Sequence, residues 1–165
     1  MGNLQLPAAR QSRDRFRPVA AILCGGLIAG TLDIGAAALI NTIDPRIILR
    51  FIAGGVLGSS ALRGGAGVEW AGLFLQWGMS LVIAAIFVLA ALRLRWMTAR
   101  WMVAGLAYGV VVFLVMNYAV LPVSAWHRIN HFTPAKLFAN LLAMLVFGMI
   151  VARSARYFLH GPPRG

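Results

Sequence analysis

Asp33 is a carboxylate set inside a long apolar run, Val19–Ile43, VAAILCGGLIAGTLDIGAAALINTI. An ionised carboxylate at mid-bilayer costs at least about 2.5 kcal/mol on insertion scales, so such a residue faces protein or water, or is protonated. Its chemistry is that of a proton or cation relay, or of a coordinating carboxylate in a substrate pocket. The commoner role is structural, a polar residue whose partner fixes how helices pack. Arg50, Arg46, Gln76 and Asn117 are the partner candidates, and an Asp33–Arg50 pair would explain why a short basic helix folds back. Gln76, Asn117 and Asn140 complete the candidate polar cluster. Amides of this kind usually serve as interhelical hydrogen-bond partners, each worth about 0.6 kcal/mol.

Other residues with chemical potential carry less. His127 and His131 stand four apart, but two imidazoles do not make a metal site, and Glu69 is the one further ligand available from the same side. Asn130 and Pro134 make that stretch a turn. The single cysteine, Cys24, forms no intrachain disulfide, belongs to no metal pattern, and reads as a small buried hydrophobe. There is no phosphate-binding loop, no ordered Ser-His-Asp set and no nucleic-acid motif. The sequence names no catalytic residue, no metal ligand and no cofactor.

The elements that position these residues follow from hydropathy. Of 165 residues 61% are apolar and 12% charged, against about one quarter charged in soluble domains. Four runs reach the roughly 20 residues that cross a bilayer core: 19–43, 68–92, 101–121 and 132–152. The expected fold is an all-α four-span bundle. The first run outlasts a signal-peptide core and reads as an uncleaved anchor, starting just after Pro18. Residues 46–62 hold too short an apolar stretch to span, and read as a short amphipathic or re-entrant helix between the first two spans. Residues 1–18 and 153–165 form the tails. Gly26 with Gly30, Gly54 with Gly58, and Gly105 with Gly109 are spaced to let helices approach closely.

Fifteen Lys or Arg oppose four acids, a net charge of +11. No basic residue falls in the centre of a span, so the charge reads as topology and lipid-headgroup contact, not as nucleic-acid binding. With both termini on one side, that side holds Arg10, Arg13, Arg15, Arg17, Arg93, Arg95, Arg100, Arg153, Arg156 and Arg164. The other side holds Arg46, Arg50, Arg63, Arg128 and Lys136. The positive-inside rule then places both termini in the cytoplasm. Asp33, Gln76, Asn117 and Asn140 all fall in the outward-facing half.

The segments GTLDIGAA (Gly30–Ala37), FIAGGVLGSSALRGG (Phe51–Gly65) and YGVVVFLVMNYAVLPVSA (Tyr108–Ala125) together resemble a family of uncharacterised bacterial four-span inner-membrane proteins. The resemblance covers most of residues 19–152. It implies the four-span bundle with a short segment after the first span, and no accepted activity. Family members are similar in carrying histidines near the positions of Gln76 and Asn140, so a histidine-based function in relatives would lack its ligands here. The favoured functional reading is a structural or accessory inner-membrane protein, with lipids, a second copy or another membrane protein as partners. Alternatives are a small oligomeric transporter or channel using Asp33, and a membrane enzyme acting on a lipid or quinone.

Overall fold

The computed structural model describes residues 8–127 and 132–160. All regular elements among them are helical: α1 (Ala8–Asn41), α2 (Pro45–Leu57), a 3-10 turn (Ser59–Arg63), α3 (Ala66–Arg93), α4 (Arg95–Ala99), α5 (Trp101–Val115), a π turn (Met116–Val120), α6 (Leu121–Val123) and α7 (Pro134–His160). Among the described residues four segments are long and apolar enough to cross a membrane: Phe16–Asn41, Ala66–Arg93, Trp101–Val123 and Pro134–Leu159. The molecule is an all-α four-span bundle.

The helix boundaries differ from the expected ones where local signals compete. The helix of the first span runs through Pro18 instead of starting after it. A proline forfeits one backbone donor and crowds the carbonyl four residues back. At Pro18 that defect sits at the edge of the apolar run, next to the arginine-rich segment, where water or headgroups can satisfy the freed carbonyl. At the other end, Thr42 adopts a left-handed backbone (φ 54°) and ends α1. Asp44 then caps α2, its carboxylate accepting from the Arg46 N–H at 2.7 Å, with Pro45 at the first helical position.

The expected helix 46–62 is divided at Gly58 (φ 77°), which closes α2 before the 3-10 turn. Gly58 was expected to let helices pack, yet a Cβ placed there meets nothing within 4 Å. Its role is conformational. The fourth span begins at Pro134, with the Thr133 hydroxyl accepting from the Lys136 N–H at 3.5 Å. Its helix outruns the expected end at Ala152, because Ala155 is fully buried and Arg153 and Arg156 lie over Trp101.

The spans alternate in direction. α1 lies between α3 and α7, and α7 lies between α1 and α5. The start of α1 and the end of α7 therefore lie at one end, here the terminal end, and α2 lies at the other, distal end. Small residues bring the helices together. Gly26 and Gly30 sit against Leu81 and Ser80 of α3, while Gly105 and Gly109 sit against Gly148, Met144 and Leu145 of α7. Phe87, Val88 and Val151 are fully buried in the main core of the terminal half, and Tyr108 donates to the Ile83 carbonyl at 2.7 Å between α5 and α3. A smaller cluster of Ile34, Ala38 and Ile48 joins α1 to α2. The outer surface is a belt of exposed Leu32, Leu39, Phe74, Val82, Ile86 and Leu114, suited to lipid. Cys24 lies on this surface, not in the core.

Candidate functional site

At the distal end the four spans stop short of close contact and α2 covers the gap. The result is a cavity of about 690 Å³ lined by all four spans and α2. α2 has 13 residues, about 20 Å of helix, too short to cross a bilayer but long enough to roof a bundle. It is fixed on two sides. Gly72 of α3 takes the Leu49 carbonyl so closely that a Cβ there would overlap it. On the same flank, Arg50 donates to Glu69 through Nε (3.0 Å) and Nη2 (2.5 Å). Opposite, the Trp126 ring stacks on Phe51 at 4.6 Å and 11°, donates from Nε1 to the Phe51 carbonyl at 3.0 Å, and fills the space above Gly54. The Ala125 N–H adds a bond to the Gly55 carbonyl at 2.8 Å.

Asp33 and Gln76 meet as the sequence allowed, with Gln76 Nε2 donating to Asp33 Oδ2 at 2.9 Å. Gln76 is buried, so its amide is oriented by the packing around it, and both residues line the cavity. The Asp33–Arg50 pair is not formed. Arg50 is taken by Glu69, whose position in the first turn of α3 lies directly across from α2. Both side chains of that pair are partly buried, at 29% and 17% exposure, so the arginine has little freedom to turn elsewhere. Glu69 is accordingly an ion-pair partner, not a third ligand for the histidines.

The other members of the predicted cluster divide. Asn140 lines the cavity while its amide donates to the Lys136 carbonyl at 2.8 Å on its own helix. Asn117 is not a lining residue. It sits in the π turn, and its amide donates to the Phe113 carbonyl at 2.9 Å. That turn arises beside Pro122, which cannot donate into the helix. The Leu121 N–H instead reaches Met116 O, five residues back, and the widened turn pushes Met116 and Val120 towards the cavity. His127 lies in a turn with φ 44°, and His131 lies outside the described residues. Among the described residues no three His, Cys, Asp or Glu side chains gather for a metal ion.

Four contributors were missed. Asn41 and Lys136 form a second polar pole, with Lys136 Nζ donating to Asn41 Oδ1 at 3.3 Å. Asn41 is eight residues beyond Asp33, about 12 Å along α1, so this pole lies nearer the distal mouth. Trp126 and Gly72 were also missed as determinants of the roof. The Lys136 signal was legible as a basic residue one turn into a span. No local pattern marks a lone glycine or a loop tryptophan as a helix clamp.

The chain matches no protein-family model, no curated protein and no solved structure.

Proposed function

We propose that this is a multi-pass membrane protein whose distal cavity binds a small amphipathic molecule with a cationic group, Asp33 providing the counter-charge. The observation that carries the reading is that Asp33 lines a cavity with a neutral donor, Gln76, as its hydrogen-bond partner, while the nearby Arg50 is held by Glu69. A residue serving helix packing alone would be enclosed, with no face on a cavity. The walls suit an apolar body with a positive head: Ile34, Ile48, Ile52, Phe51, Met79 and Trp126 line the same cavity as the carboxylate. Aromatic faces attract cations in addition to the carboxylate. Lys136 is placed at the mouth through Asn41, leaving the deeper end to Asp33. The charge distribution favours a bacterial inner membrane with both termini cytoplasmic, so that the cavity opens on the outer side. A transport or accessory role follows, depending on whether the ligand crosses.

The test uses a Cys24→Ala background carrying Ala37→Cys on the cavity wall, reconstituted in liposomes. A water-soluble thiol reagent should modify that cysteine from the side opposite the termini. Tetraphenylphosphonium should protect it, and tetraphenylborate, an anion of the same shape, should not. Asp33→Asn should remove the protection and Asp33→Glu should restore it, with melting temperatures confirming that each variant is folded. Equal protection by the two ions, or protection that survives Asp33→Asn, would overturn the proposal.

A further inference from the structure

A second groove lies at the terminal end, remote from the cavity. It occupies about 600 Å³ between α1 and α7 and is open along its length to the surface. Its floor is formed where Gly25 faces Ser154, whose hydroxyl donates to the Ala21 carbonyl at 3.0 Å and is thereby turned away from the opening. Its walls are apolar, running from Ile28 on α1 and Val146 on α7 towards Tyr157. Val146 is seven residues from Arg153, so the apolar part reaches about 10 Å beyond the arginine into the lipid-facing stretch.

The mouth is cationic. Arg153 lines the groove with its guanidinium 5.6 Å from the Trp101 ring centre, and the Arg156 guanidinium is 5.9 Å from the same ring. Cation–π attraction at these distances holds each guanidinium near the ring without using its N–H donors, which stay available for an oxyanion. Arg17, Arg93, Arg95 and Arg100 are exposed at the same end. The acids whose side chains are described, Asp33, Asp44 and Glu69, all belong to the distal half. The groove therefore presents fixed positive charge at headgroup level and an apolar channel below it.

We propose that this groove is a binding site for an acidic phospholipid. Arg153 and Arg156 hold the phosphate, and one acyl chain lies over Gly25 and against Ile28. The site stands independently of the cavity reading. Basic pockets between membrane helices recognise acidic headgroups through charge-assisted hydrogen bonds. The paired arginines on one tryptophan distinguish this site from the diffuse attraction of a basic surface.

The full chain in neutral maltoside micelles, supplied with dioleoyl-phosphatidylglycerol or dioleoyl-phosphatidylcholine, tests it by native mass spectrometry. Phosphatidylglycerol should be retained about thirtyfold better than phosphatidylcholine, the scale expected of two arginines at a headgroup. Arg153→Gln with Arg156→Gln should bring retention down to the phosphatidylcholine level. Ile28→Trp, placed on an exposed side chain, should obstruct the channel and lower retention with the melting temperature unchanged. Glycerol 3-phosphate, which has the headgroup chemistry without chains, should not compete. Three results overturn the proposal: equal retention of the two lipids, effective competition by glycerol 3-phosphate, or an equal loss in the control Arg93→Gln with Arg95→Gln.

Discussion

The roof over the cavity depends on a glycine and a tryptophan that occupy each other's space, and this makes a prediction in which a substitution changes sign. A Cβ at position 54 would overlap the Trp126 ring. Gly54→Ala must therefore displace the ring, disturbing the Nε1–Phe51 carbonyl bond of 3.0 Å and the stacking at 4.6 Å. The bond contributes about 0.5–1.5 kcal/mol, and the stacked pair a similar amount. Against the resulting loss of about 1–3 kcal/mol stands the gain of about 0.8–1 kcal/mol when alanine replaces glycine inside a helix. In the native background Gly54→Ala should destabilise by about 1 kcal/mol.

Trp126→Ala removes the obstruction along with the interactions. Its own cost should be about 2–4 kcal/mol, at and below the usual range for losing a buried tryptophan, because the ring is only half-buried. In that background Gly54→Ala should stabilise, since only the helix-propensity gain remains. Equilibrium unfolding of the four chains of this cycle in mixed micelles measures the coupling, expected at about 1–3 kcal/mol. Trp126→Phe retains a ring and loses the donor, and should cost about 1 kcal/mol. If the two substitutions add to within about 0.5 kcal/mol, the level usual for independent sites, the ring and the glycine are not in contact and the account of the roof fails.

Two further outcomes follow from the same packing. Gln76→Leu should destabilise by about 1–3 kcal/mol by stripping the Asp33 carboxylate of its donor, and adding Asp33→Leu should recover most of the loss in the same unfolding assay; a neutral Gln76→Leu contradicts the pairing. Gly148→Ala should cost about 1–3 kcal/mol through overpacking, because its Cβ would run into the backbone of Gly105 and Gly109, whereas Gly78→Ala, which meets nothing within 4 Å, should not destabilise.

Hydropathy alone carried the bundle because each span needs only length and an apolar average, properties that 20 residues state redundantly. The site was legible in part for a related reason. Asp33 and Gln76 are polar residues where lipid penalises them, so their presence marks protein-facing positions before any partner is known. Partner choice is a different kind of information. Arg50 could have reached either Asp33 or Glu69, and the decision rests on α2 lying along the first turn of α3, set by Gly72 and Leu49, which no spacing rule marks. Cys24 was misplaced for the converse reason. An apolar residue in a span is equally suited to the core and to lipid, and only the neighbouring helices decide which it faces.

The two charged features of the molecule are thereby separated by their partners. Glu69 occupies Arg50, and Asn41 engages Lys136, so these two distal cations are held away from Asp33. Asp33 consequently keeps its negative charge, or its proton, for whatever enters the cavity. At the terminal end the balance is reversed. Arg153 and Arg156 are ordered by an aromatic ring, which holds a guanidinium without cancelling its charge. One end thus retains an acid that its neighbouring bases do not neutralise, and the other retains bases with no described acid beside them. Complementary ligands at the two ends, a cation in the cavity and an acidic lipid in the groove as proposed, would satisfy both with the helices where they stand.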